Sequence, residues 1–373
     1  MVSPLKLIRG FIGAIALGSS SYFGAVFLML PFAPMAFAPH LFIIYRWWQD
    51  AVVSFWTAYA IFIMRMLHGV DIVTHGEIID PNDTAIIILN HRTRLDWFYF
   101  WSPANTDGCL FDLKTALKRT LARVPGAGWA QQLGANLFLN RRAELDLPRM
   151  KNWITYLSSF KHKKYKLLIF PEGTDFAPCT KKRSDQFAEK EGLPRYEYVL
   201  HPRITGVDFI FKTMRNLGSI TAVYDATIAY EGPFPCSELA FVTGDLPKKV
   251  HFFIKRYPAE YVSSKGSEVF WKEIWAEKEQ FLKNFYEGSY KPDEGRKEDS
   301  SATILEVISF IFWTLFVIYS LLVIVPNHLL FFFSLNIVAI LWSEFTVQGI
   351  DDSTVNSGLS LFNIKKATDC KVD

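Results

Sequence analysis

The apolar positions of this 373-residue chain fall into three regimes. Near the start, Gly10 to Pro39 carries no charged residue, and near the end Val307 to Trp342 carries no Asp, Glu, Lys or Arg. Each run exceeds the roughly 20 residues that cross a bilayer as a helix. Between them, over residues 66 to 300, short apolar runs alternate with amphipathic stretches. Ala85-Ile86-Ile87-Ile88-Leu89 predicts a buried strand, and Ala135 to Leu139, Lys166 to Phe170, Ala222 to Ala229 and Val250 to Lys255 predict others. Helical spacing appears over Leu113 to Ala122, Arg149 to Phe160 and Glu268 to Tyr286. Such alternation predicts an α/β fold: a mostly parallel sheet flanked by helices, with N-terminal and C-terminal membrane-embedded helices.

The first apolar run follows Lys6 and Arg9 and contains Ala36-Phe37-Ala38, which imitates a signal cleavage site. Its length before Pro31, about 20 residues, exceeds the 7–15 of a signal's apolar core, so it reads as a retained anchor. Ala51 to Met64, only 14 residues long after Arg46 and Asp50, is short for a span and reads as re-entrant, interfacial or half of a hairpin. Val307 to Val325 has span length, and Pro326-Asn327-His328 breaks it. Leu329 to Trp342 then returns through the membrane or lies along it. The expected organisation is an anchor over 1–65, an α/β domain with a helical extension over 66–300, membrane segments over 301–345 and a polar tail over 346–373.

Net charge is +3, but from Lys114 to Arg183 fifteen Lys and Arg face four acids, Glu144, Asp146, Glu172 and Asp175. A basic stretch flanked by membrane segments suits anionic headgroups or a polyanionic substrate. No interleaved stacking motif accompanies it, so nucleic acid is not an expected partner. The cysteines Cys109, Cys179, Cys236 and Cys370 form no CxxC, which signals neither zinc nor a disulfide framework and suits reduced thiols facing the cytosol. With no GxSxG, P-loop or HExxH, nothing supports a serine hydrolase, a nucleotide triphosphatase or a metal site.

Each of the first three predicted strands runs into polar residues: Asn90-His91, then Asn140-Arg141-Arg142, then Pro171-Glu172-Gly173-Thr174-Asp175. In open α/β sheets the carboxyl ends of parallel strands border the ligand crevice. A histidine with a carboxylate five residues on works as a general base and its orienter, provided His91 precedes the helix on which Asp96 lies. Side chains five positions apart on one ideal helix would diverge. His201 before Pro202 reads as structural, and His68, His75, His162, His251 and His328 show no supporting constellation.

Asn90-His91 with Asp96, Phe138-Leu139-Asn140-Arg141 and Phe170-Pro171-Glu172-Gly173-Thr174, in this order, resemble the signature blocks of the glycerophospholipid acyltransferases. Val124 to Trp129, Phe170 to Asp175 and Tyr198 to Arg203 are similar to the lysocardiolipin and lysophosphatidylinositol acyltransferase branch, and the likeness covers roughly residues 40 to 290. The resemblance implies acyl transfer from acyl-CoA, as co-substrate, to a lysophospholipid hydroxyl, with no bound cofactor. It implies His91 and Asp96 of the HX4D motif as catalytic residues, and Asn90, Arg141, Glu172, Gly173 and Thr174 as substrate contacts. Arg141 would grip the acceptor phosphate, and Glu172 would either bond acceptor hydroxyls or lock Arg141. Two departures matter: many members carry arginine at the place of Asp175, and Leu200-His201-Pro202-Arg203 replaces the usual fourth block. Phosphate binding then rests on Arg141 and neighbours such as Lys181, Lys182, Arg183 or Arg203, which favours a phosphodiester acceptor. The same residues leave open a CoA-independent transacylase, or a non-catalytic protein that binds anionic lipid. A hairpin over Gly10 to Met64 would hold the domain on the cytosolic side with Lys6 and Arg9. The resemblance implies the endoplasmic reticulum; Lys365-Lys366 sits too far from the end to read as a dilysine address.

Overall fold

A computed structural model describes residues 4–160, 163–232, 237–292, 295–297, 303–345 and 349–364. Cys236, Cys370, His162, Lys365 and Lys366 lie outside the described residues. The described strands are β1 (Asp71–Gly76), β2 (Ala85–Leu89), β3 (Leu113–Lys118), β4 (Leu137–Leu139), β5 (Lys166–Ile169), β6 (Ala222–Glu231), β7 (Lys249–Pro258) and β8 (Arg296–Lys297). The chain divides into two compact units, each discontinuous in sequence. One comprises Met1–Phe11, Leu67–Cys109 and Lys164–Ser300, and the other Ile12–Met66, Leu110–Lys163 and Ser301–Asp373.

In the first unit the strands run in the order β5-β2-β6-β7-β1-β8. β2 is parallel to β5 and β6, and β1 is parallel to β7. Among the described pairings of this unit, β6–β7 and β1–β8 are antiparallel, so the sheet is mixed but mostly parallel. The central strand β2 is buried along its whole length, which its run of β-branched residues suits. Ile88 lies opposite Ile169 on one side and Asp225 on the other, so β2 and β5 end at the same edge. The helix Ser267–Tyr286 buries Phe270, Trp271, Ile274, Trp275 and Leu282, spaced as one helical face. Lys278 on that face is fully buried and donates to Asp225, Ala226 O and Thr227 Oγ1 at 2.6, 2.8 and 2.7 Å. A buried ammonium needs that many partners.

The second unit contains the parallel pair β3–β4, with Leu117 opposite Phe138. Here the helix expected over Leu113 to Ala122 is instead strand β3 followed by a short 3₁₀ turn, Arg119–Arg123. Lys114 misled the periodicity: its side chain points inward and donates to Asp50 Oδ1 at 2.6 Å and Gly134 O at 3.0 Å. The apolar block Ala51 to Met64 likewise belongs to a longer helix, Phe42–His68. Arg46 and Asp50 do not end it because they pair with each other at 2.6 Å, fully buried. Among the described residues, that helix joins Pro4–Phe37 and Ile304–Asn327 as a third helical segment long and apolar enough to cross a membrane. Only 17% of the Ile304–Asn327 window is buried, which leaves its leucines, isoleucines and phenylalanines facing outward as lipid would require. Thr303 caps it through Glu306 N, and buried Glu306 meets Arg65 at 3.4 Å. Several apolar helices therefore fit a membrane protein.

Candidate active site

The chain leaves β2 at Leu89, turns through 90–95 and enters the helix Asp96–Thr106. His91 thus precedes the helix and Asp96 opens it. Their side chains meet, Nδ1 to Oδ2, at 2.9 Å. Asp96 is fully buried, and its neutral donors fix it in place. Thr93 N–H donates to both carboxylate oxygens at 3.1 and 3.0 Å, Thr93 Oγ1 donates to Oδ1 at 3.0 Å, and the Tyr230 hydroxyl donates to Oδ1. Burial and the adjacent carboxylate push the Tyr230 phenol well above its ordinary range, so it stays a donor. Asp96 reaches back to the Thr93 amide and so closes the loop that leads into the helix. With Nδ1–H given to Asp96, His91 keeps Nε2 as an acceptor, and that nitrogen has no hydrogen-bond partner among the described residues. The imidazole packs on Phe170 at 4.3 Å and remains 17% exposed, enough for a reactant to reach one edge.

Glu172 lies beyond the end of β5, 81 residues from His91, and is brought there by the parallel register. Both of its oxygens are taken up by backbone. Oε1 accepts the His91 N–H at 3.0 Å and Oε2 accepts the Leu200 N–H at 3.1 Å. One carboxylate therefore ties the histidine loop, its own turn and the 200–203 segment together. Burial pushes its carboxyl up to about 7 in spite of those two donors. Gly173 follows at φ +71°, backbone that a glycine adopts without strain, and its N–H closes the turn onto Phe170 O at 2.9 Å.

The other expected contacts divide. Asn90 is corrected: it is fully buried and its amide is used by β6, donating to Ile228 O at 3.1 Å and accepting from Ile228 N at 2.8 Å. It braces the end of β2 instead of facing a ligand. Thr174 stays in the turn, its hydroxyl 3.4 Å from Asp175 Oδ1. Asp175 pairs with Arg94 at 3.4 Å, and Arg94 also meets Glu238 at 3.4 Å. Arg92 is held between Phe176 and Tyr286, with ring centroids at 4.9 and 5.0 Å. Lys181 is paired to Asp185 and Glu197.

Arg141 belongs to the second unit. It is exposed and sits at φ +64°, an uncommon conformation for a residue with a Cβ. The clamp is Asp146, which accepts from Asn140 N at 2.8 Å, Asn140 Nδ2 at 3.2 Å and Arg142 N at 3.0 Å. Both neighbours are fixed, so the backbone is forced to turn at Arg141 itself.

Three further features escaped the sequence. Thr93 lies only three residues before Asp96; Tyr230, 134 residues from it, carried no local signal. His75 and His251 do have a constellation: His75 Nε2 bonds His251 Nδ1 at 2.9 Å, and His251 Nε2 bonds Glu231 Oε1 at 2.7 Å. His201 is structural, with Nε2 on Pro194 O at 2.9 Å and its ring stacked on Tyr196; burial lowers its pKa. Among the described residues no group of His, Cys, Asp and Glu could hold a metal ion.

The Acyltransferase family model matches residues 71–230, which include the His91–Asp96 loop, the Glu172 turn and Tyr230. Lysocardiolipin acyltransferase 1 of Gallus gallus is 38% identical over 317 residues, covering 83% of each chain. Lysophosphatidylinositol acyltransferase 10 of Caenorhabditis elegans is 34% identical over 284 residues, covering 72% of each. Among solved structures, the 1-acyl-sn-glycerophosphate acyltransferase PlsC of Thermotoga maritima matches with a TM-score of 0.45 at 17% identity, over 77% of this chain and 100% of that one.

Proposed function

Because this chain belongs to the glycerophospholipid acyltransferase family, in the lysocardiolipin and lysophosphatidylinositol acyltransferase branch, we propose that it moves a fatty acyl group from acyl-CoA to a free hydroxyl of a lysophospholipid. The observation that carries the reading is His91, steered at 2.9 Å by a buried carboxylate and left with an open Nε2. His91 Nε2 takes the proton of the acceptor hydroxyl as the oxygen attacks the thioester carbonyl carbon. The C–O bond forms, the C–S bond breaks, and the departing coenzyme A thiolate takes the proton from the imidazolium. Asp96 stabilises that cation while it lasts, and Thr93 and Tyr230 keep Asp96 from turning away. The reaction balances with donor and acceptor alone, so no bound cofactor is required.

The relatives acylate lysocardiolipin and lysophosphatidylinositol by their names, and a phosphodiester acceptor fits Asp175, whose carboxylate repels a second anionic charge. Cytosolic acyl-CoA and the basic N-terminal Lys6 and Arg9 support a catalytic unit facing the cytosol at the endoplasmic reticulum. The test is transfer of label from acyl-CoA to a panel of lysophospholipids by the purified full chain. General-base assistance is typically worth about 10²–10⁴-fold, so His91→Ala should lose activity by that factor while keeping its thermal midpoint. Undiminished transfer by a folded His91→Ala protein ends the assignment. Label that moves only from a phospholipid donor would establish the transacylase instead.

A further inference from the structure

The Pro171–Asp175 turn that ties down His91 is bordered by two arginines in opposite electrostatic states. Arg94 is answered by two carboxylates, Asp175 and Glu238, each at 3.4 Å. Arg203 has no such answer among the described residues. Its backbone is fixed, N–H to Pro171 O at 2.8 Å, and its side chain lies across Gly173, with Cδ 3.5 Å and Nε 3.8 Å from the place a Cβ would take. Beyond that contact its guanidinium forms no hydrogen bond or ion pair with any described residue, and it is exposed. The segment carrying it is bound to the histidine loop by a single carboxylate, since Glu172 accepts from both His91 N and Leu200 N. A guanidinium held over a glycine turn at the catalytic loop, with no described partner, suits an anion.

We propose that Arg203 binds the acceptor's phosphate and that Asp175 and Glu238, which together more than neutralise Arg94, leave Arg203, among the described residues, as the one unanswered cation of the seat, so that it selects a singly charged phosphodiester over a phosphomonoester. This rests on the acyl-transfer reading above and adds the residue that would choose the acceptor. A phosphomonoester carries about −1.5 to −2 near neutral pH. Beside two carboxylates its second charge meets repulsion that a phosphodiester escapes.

The experiment uses the purified full chain in lipid nanodiscs, labelled acyl-CoA, and two acceptors: lysophosphatidylinositol as the phosphodiester and lysophosphatidic acid as the phosphomonoester. A charge-assisted hydrogen bond is worth roughly ten- to a hundredfold in binding, so Arg203→Gln should raise KM for lysophosphatidylinositol by about that factor. KM for acyl-CoA should stay within about twofold, which also reports that the site is folded. Arg203→Lys keeps the charge without the fork and should fall between wild type and Arg203→Gln. Asp175→Asn should shift the ratio of kcat/KM values towards lysophosphatidic acid by several-fold. Unchanged acceptor KM in both Arg203 variants overturns the inference, and so does a rise in KM for acyl-CoA instead, which would assign Arg203 to the donor's phosphates. If Arg203→Gln is inactive, Arg203→Lys decides: a raised acceptor KM supports the seat and an unchanged one removes it. A wild-type chain that acylates neither acceptor overturns the acyl-transfer reading and this inference with it.

Discussion

His91 and His251 lie in the same unit, each bonded to a carboxylate, at 2.9 Å to Asp96 and 2.7 Å to Glu231. By distance alone the second pair is the better one. What separates them is the other ring nitrogen. His251 has given both away, Nε2 to Glu231 and Nδ1 to His75, and its ring is buried against Phe253 and Phe285. His91 has given away only Nδ1, and Nε2 points to a partly open edge. The carboxylates differ in the reverse sense. Asp96 is buried and immobilised by Thr93 and Tyr230, whereas the Glu231 side chain is 47% exposed and shared with Lys249. A proton acceptor for catalysis needs a fixed orienter and a vacant nitrogen. A structural histidine needs neither.

That contrast is broken most directly by exchanging losses at the two pairs. Asp96→Asn puts an amide where the carboxylate fixed the imidazole tautomer, and kcat should drop by about 10²–10⁴-fold in the labelled transfer assay. His251→Ala should leave kcat/KM within about threefold and cost about 1–3 kcal/mol of stability, seen as a lower thermal midpoint, because the His75 nitrogen loses its partner. Equal kinetic losses from the two variants would erase the distinction. Glu172 sharpens it by pH. Its folded pKa, about 7, stands above the ordinary 4.5, so the native state holds the proton more tightly than the unfolded chain. Stability from this group is therefore whole below pH 4.5 and lost as pH rises to about 7, up to about 3 kcal/mol. The thermal midpoint should fall across that window in the wild type and stay flatter in Glu172→Gln; parallel slopes contradict it. The smallest effect is Tyr230→Phe. Removing one donor from Asp96 should cost about 1 kcal/mol of stability and several-fold in kcat, with KM for acyl-CoA unmoved.

Local spacing made some of this legible. The strand Ala85–Leu89 announces itself because both its faces are buried, and the helix Ser267–Tyr286 because only one of its faces is. His91 and Asp96 are legible because a strand end and a helix start lie five residues apart. Asp146 is within reach too, six residues from Asn140, but its clamp is backbone geometry and leaves no mark on the hydropathy pattern. β1 is hidden in the sequence since two of its buried residues, Thr74 and His75, are polar. β3 has the spacing of a helix since Lys114 is a buried cation satisfied by Asp50, 64 residues away.

By itself, then, the order of residues determined the alternating strands and helices, the apolar segments at either end, and a histidine and aspartate poised across one turn. Each of these depends on neighbours within a few residues, where chain geometry is dictated by sequence. Which carboxylate braces the loop, which phenol steadies Asp96, and which histidine keeps a nitrogen vacant were decided only when parallel strands brought residues 81 to 134 positions apart to one edge. Register between strands is set by the packing of the whole sheet, so no window of sequence contains it.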